Sequence, residues 1–177
     1  MKKTLIISLL LMINFIVNAQ SFEETQQWIT NYASAKNYTT VNQQVFYSES
    51  KKLMYFIKVL EYPSGGHTFI SFVFDPKKAS SISIDKHKDS DGGHNLTLWF
   101  SESTKVHSVS IPDTPPYNGT RLSNDFIERL EVKEGLEMRG TEIYLSCGME
   151  QIISVKNAYI HLFKTLGYTI KDADKMF

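Results

Sequence analysis

One stretch constrains this chain more than any other: the segment from Met149 to about Leu166. Ile152, Val155, Tyr159, Leu162 and Leu166 recur at steps of three and four, and Ile153, Ala158 and Phe163 widen the same stripe. Gln151, Ser154, Lys156, Asn157, His161 and Lys164 fall mostly outside it. That period marks an amphipathic α-helix with a broad apolar face. Gly167 stands where a C′ glycine belongs, and Lys164 places a cation in the last turn. At roughly 1.5–3 kcal/mol per buried large side chain, the five stripe residues supply on the order of 10 kcal/mol of gross burial. Such a helix needs a surface to cover, and almost everything before it reads as β-strand. The expected fold is therefore α+β: a mostly antiparallel β roll or barrel with an N-terminal helix, closed by this C-terminal helix.

Met1–Ala19 has the grammar of a secretory signal peptide. Lys2 and Lys3 precede an apolar run from Leu5 to Val17, and Val17-Asn18-Ala19 sets small residues around a cleavage point. The run is too short for a membrane span. With no cysteine nearby, a lipoprotein anchor is excluded. Residues 20–177 then form one β-rich domain, exported to the periplasm or the medium, with no stable membrane anchor. Cleavage removes two lysines, leaving 17 basic residues against 19 acidic ones, a formal charge of −2. So even a balance argues against nucleic acid or an anionic membrane as the main partner. Cys147 is the sole cysteine, which excludes an intramolecular disulfide.

In chain order, Ser21 opens a helix with Glu24 three residues on, a capping box. Phe22, Trp28, Ile29, Tyr32 and Ala33 form its apolar stripe. From Gln44 the period becomes two. Strands are expected at Gln44–Ser48, Leu53–Tyr62, His67–Asp75, Ser81–His87, Asn95–Ser101 and Lys105–Ile111. His67–Asp75 is nearly continuous in apolar character, as for a central strand covered on both faces. Glu49–Lys52, Pro63–Gly66 and Glu102–Thr104 are read as turns. Pro112–Gly119 is a long loop with three of the five prolines. Asn124–Glu134 fits both a short helix and a strand, its start leaning to helix. Glu137–Cys147 is a last strand with Ile143, Leu145 and Cys147 inward. Tyr168–Phe177 carries no clear pattern.

Glu24-Thr-Gln-Gln-Trp28-Ile29, Asp75-Pro-Lys-Lys-Ala-Ser-Ser-Ile82 and Asn157-Ala-Tyr-Ile-His-Leu162, in this order, resemble a group of small exported proteins of Bacteroidetes-type bacteria. The resemblance implies a pleckstrin-homology-like roll of two bent antiparallel sheets with a helix plugging one corner. It implies no activity and no functional residues.

Asp85, His87, Asp89, Asp91 and His94 crowd one hairpin. Carboxylates and imidazoles at short spacing suit a divalent metal, with His87, Asp89, Asp91 and His94 as candidate ligands. The spacing is not an EF-hand, and Asp-Gly-Gly is ordinary turn chemistry, so a solvated hairpin tip is the favoured reading. Cys147 with His161 would give a nucleophile and a base, but a lone inward cysteine behaves as a small hydrophobe. Neither glycine pair has phosphate-loop spacing, and no hydrolase or zinc-protease motif occurs. No catalytic residue and no cofactor is assigned. The expected function is an exported, non-enzymatic binding or scaffold module for a protein or small ligand. The alternative is a β barrel that binds a small ligand or a divalent metal.

Overall fold

The computed structural model of the chain describes residues 21–32, 35–36, 40–61, 67–86, 94–111, 122–146 and 149–175. The expectations for the leader at 1–19, the hairpin tip at 87–93, the loop at 112–119 and Cys147 lie outside them.

Helix α1 (Phe22–Tyr32) begins at a closed capping box. The Glu24 amide donates to Ser21 Oγ at 3.1 Å, and the Ser21 amide donates to Glu24 Oε2 at 2.9 Å. After the two-residue strand β1 (Ala35–Lys36), β2 (Thr40–Ser48), β3 (Leu53–Glu61) and β4 (His67–Phe74) form an antiparallel meander. The β2–β3 turn places Lys52 at φ 55°, and Ser48 Oγ accepts the Lys51 amide at 3.0 Å. The strand covered on both faces is β3, where Met54–Val59 are all buried; β4 exposes Thr68 and Ile70 at its start. The apolar run of β4 misleads at its start, where Phe69 packs against a core cluster while Ile70, on the other face, is exposed.

Asp75 breaks the strand. Its carboxylate accepts the Lys77 amide at 2.9 Å and caps a 3-10 turn at Pro76–Lys78, from which β5 (Ala79–Lys86) sets off. Strands β4 and β5 both lie antiparallel to β6 (His94–Val109): Val73 pairs with His107, and Ile82 with Leu98.

Strand β6 overturns the expected turn at Glu102–Thr104. The chain stays extended for 16 residues, and the two expected strands are one. Between the pairs Trp99↔Gly140 and Thr104↔Met138, residues 100–103 of β6 bulge opposite residue 139 of β7 (Val132–Ser146). A bulge bends a strand without reversing it, so polar residues that look like a turn become the corner of the curl. Residues 124–134 realise both open readings in succession. Ser123 Oγ accepts the Phe126 amide at 3.2 Å and caps α2 (Asn124–Arg129), and β7 starts at Val132, earlier than expected.

The architecture is α+β, a curled and mostly antiparallel sheet with one helix at each end of the chain. On the concave face, Val45, Met54, Phe56, Phe74, Leu96, Leu98 and Ile143 meet helix α3 (Met149–Thr165). Ile152, Val155, Tyr159, Leu162 and Phe163 of α3 are buried there, and the Tyr159 ring stands edge-on to Phe56 at 5.5 Å. Ile153, expected to widen the stripe, is 41% exposed. A smaller cluster on the opposite face joins Tyr55, Ile57 and Val73 to Leu122, Ile127 and Leu130 around α2.

Helix α3 ends in a full glycine motif: Gly167 at φ 82° donates to Lys164 O at 3.0 Å, and the Tyr168 amide donates to Phe163 O at 2.9 Å. The tail then runs back along the sheet. Strand β8 (Lys171–Asp172) pairs in parallel with β5 at Ser81 and Ile82. Both Asp174 carboxylate oxygens lie 3.2 Å from the Ile84 amide.

Candidate functional site

Of the four candidate metal ligands, His94 is within the described residues, and His87, Asp89 and Asp91 lie outside them. His94 starts β6, opposite Lys86 and Ser146, with its ring half-buried. Its Nδ1 is buried and has no hydrogen-bond partner among the described residues. Among the described residues, no group of three or more His, Cys, Asp or Glu side chains converges as metal ligands would. His161 lies in α3, and its suggested partner Cys147 is outside the described residues.

The polar chemistry that the described residues do bring together lies on the outer face of β5, β6 and β7. Alternation sends Leu96, Leu98 and Phe100 inward and therefore Asn95, Thr97, Trp99 and Ser101 outward. Register then sets their neighbours: Ser81, Ser83 and Asp85 on β5, Gly140 and Glu142 on β7. Trp99 is central in this patch and 41% exposed. Its indole N–H donates to Ser83 Oγ at 2.9 Å, and the Ser83 hydroxyl donates to Asp85 Oδ2 at 3.2 Å. On the other side, the six-membered ring lies against Gly140. A Cβ there would stand 2.8 Å from Trp99 Cε3. The ring is thus held from both neighbouring strands while much of its surface stays open. At one end of the patch, Asn95 Nδ2 donates to Glu142 Oε1 at 3.0 Å. Asn95 Oδ1 is buried without a partner among the described residues. Asn95, in a glycosylation-type sequon, is itself buried, which makes it a poor acceptor for an N-linked glycan.

Two buried lysines were invisible in the hydrophobic pattern. Lys58 of β3 is 5% exposed and on the concave side, with its ammonium 5.5 Å from the centre of the Phe72 ring. It donates to the Glu142 carbonyl at 3.2 Å. Burial pulls its pKa down to about 8, against the opposing pull of the Glu142 charge. Lys156 of α3 is equally buried but has two carboxylates, Asp172 Oδ1 at 2.8 Å and Asp174 Oδ2 at 2.7 Å. Burial would lower its pKa, but those hydrogen bonds and charges outweigh it and the pKa rises. Lys156 is a clasp for the tail; Lys58 is a buried cation facing a carbonyl and a ring.

At the other end of the sheet, Glu128 of α2 accepts from Ser48 Oγ at 2.7 Å and from Ser50 Oγ, while Lys51 Nζ donates to the Glu128 carbonyl. Burial raises the Glu128 pKa, but the two hydroxyls and the Lys51 charge outweigh it and the net shift is downward. These bonds fasten α2 to the β2–β3 turn. Among the described residues, no helix is long and apolar enough to cross a membrane. Comparison of the chain with protein-family models, with curated proteins and with solved structures returned no match in any of the three.

Proposed function

We propose that this chain is an exported, non-enzymatic binding module that recognises its partner on an outer surface. One observation carries the reading. The concave face, which a carrier barrel would keep open for its ligand, is filled by Ile152, Val155, Tyr159, Leu162 and Phe163 of the protein's own α3. Recognition then falls to the outside of the sheet, where Trp99 stands among Ser83, Asp85, Thr97 and Glu142. Export rests on the Met1–Ala19 segment. The further reading of the roll as pleckstrin-homology-like, within a group of small exported bacterial proteins, is supported by the bent meander and its C-terminal helix.

A second reading, a barrel that takes a small ligand, is favoured by Lys58. A buried ammonium that meets one carbonyl among the described residues has donors to spare for a carboxylate or phosphate. Its metal-binding form rests on His87, Asp89, Asp91 and His94.

Metal analysis and native mass spectrometry of the purified mature chain separate the two. The binding-module reading expects the bare polypeptide mass and no stoichiometric metal. A retained small molecule that Lys58→Met abolishes, or one divalent ion per chain lost in His94→Ala, would replace it with the second reading.

A further inference from the structure

We propose that the outer face of β5–β6–β7 is a saccharide-binding surface, with the exposed part of the Trp99 ring as its stacking platform. The inference rests on the binding-module reading and names the ligand class. An exposed tryptophan leaves a large apolar surface in water, and a ligand that covers it gains the free energy of that burial. This one is not loosely exposed. Ser83 holds its N–H at 2.9 Å, and Gly140, lacking a side chain, makes room for the other edge of the ring. Its rotamer freedom is already lost, so a ligand that stacks there does not have to order it.

The neighbours select the class. Ser81, Thr97 and Ser101 border the ring by register, and Asp85 and Glu142 lie further along the same face. Hydroxyls and carboxylates match an array of sugar hydroxyls, which both donate and accept. The C–H face of a pyranose is apolar and slightly positive, and it complements the electron-rich face of an indole. A nucleic acid would bring phosphates toward Asp85 and Glu142, and like charges repel. A quaternary ammonium is held best by several rings, and this patch offers one.

The test uses the purified mature chain on a printed array of bacterial, plant and animal glycans, followed by titration of intrinsic fluorescence with each glycan that binds. Trp28 and Trp99 are the two tryptophans, so Trp28→Phe isolates the Trp99 signal. We expect at least one neutral oligosaccharide to bind with a shift in Trp99 emission. Trp99→Ala should weaken it by about tenfold or more, a loss of about 1.4 kcal/mol. Trp99→Tyr should retain part of the affinity, and Asp85→Asn with Glu142→Gln should weaken binding in a chain whose circular dichroism is unchanged. The proposal is overturned if no glycan binds the wild type above Trp99→Ala, or if tetramethylammonium or an oligothymidylate alone moves the Trp99 emission. A protein partner bound equally by wild type and Trp99→Ala would also overturn it, while leaving the binding-module reading intact.

Discussion

Lys156 Nζ stands 2.8 Å from Asp172 Oδ1, so a lysine on the buried side of α3 ties down a strand that follows it by 16 residues. Asp174 closes the same ammonium from the other side at 2.7 Å and also receives the Ile84 amide. Three segments, α3, the tail and β5, therefore meet at one charge. Removing one partner of a buried ion pair costs about 3–5 kcal/mol because the remaining charge is stranded. Lys156→Met should lower the urea midpoint accordingly, and Lys156→Met/Asp172→Asn/Asp174→Asn should recover most of the loss. If the single variant unfolds with the wild-type midpoint, the clasp contributes nothing. Because the folded pKa of Lys156 is raised, its share of the stability is complete below the ordinary lysine pKa and is lost only as pH climbs through the raised value.

Lys58 should behave in the opposite sense. Its pKa falls from 10.5 to about 8 on folding, a gap worth about 3 kcal/mol. The unfolded chain then binds more protons between those values, so this group makes stability rise from about pH 8 to about 10.5. Lys58→Met should raise the stability at neutral pH by up to about 3 kcal/mol and flatten that rise. Denaturation midpoints at several pH values measure both. A variant that keeps the wild-type slope would show that Lys58 is solvated in the folded protein.

The plug of the concave face should dominate global stability. Tyr159 is 1% exposed and edge-on to Phe56, and Leu162 is fully buried. Tyr159→Ala should cost about 3–5 kcal/mol and Leu162→Ala about 2–5, read by urea denaturation. Ile153→Ala, on the exposed side of the same helix, should cost less than about 1 kcal/mol.

Two glycines of β7 should differ sharply. At Gly135 an added Cβ would stand 2.5 Å from the Val106 carbonyl oxygen and 2.9 Å from His107 Cα, backbone that cannot yield cheaply. At Gly140 it would stand 2.8 Å from the Trp99 ring and 3.1 Å from the Leu98 carbonyl oxygen, so the closest clash is with a side chain, which is displaced at the expense of its Ser83 bond. Gly135→Ala should therefore destabilise by about 1–3 kcal/mol or more. Gly140→Ala should cost less and change the Trp99 emission instead. Calorimetry and fluorescence on the two variants separate these outcomes.

Local signals were legible in the sequence because each rests on atoms a few residues apart. The capping box at Ser21 and Glu24, the strand end at Asp75 and the C′ glycine at Gly167 are all of this kind. So was the period of α3, which says which side of a helix is oily whatever it packs against. The candidate site was less legible. Alternation along β6 sends Trp99 away from Leu98, but nothing local to β6 brings Ser83 and Gly140 to hold it.

By itself, then, the sequence determined the class of fold, the closing helix and most strands. Tertiary structure decided whether Glu102–Thr104 reverses the chain or bends it, because a bulge exists only against a partner strand. It also decided that Lys156, polar by type, goes inside. Carboxylates replace the lost hydration of the Lys156 ammonium, where Lys58 has a carbonyl and a ring, and only the returning tail brings Asp172 and Asp174 within reach.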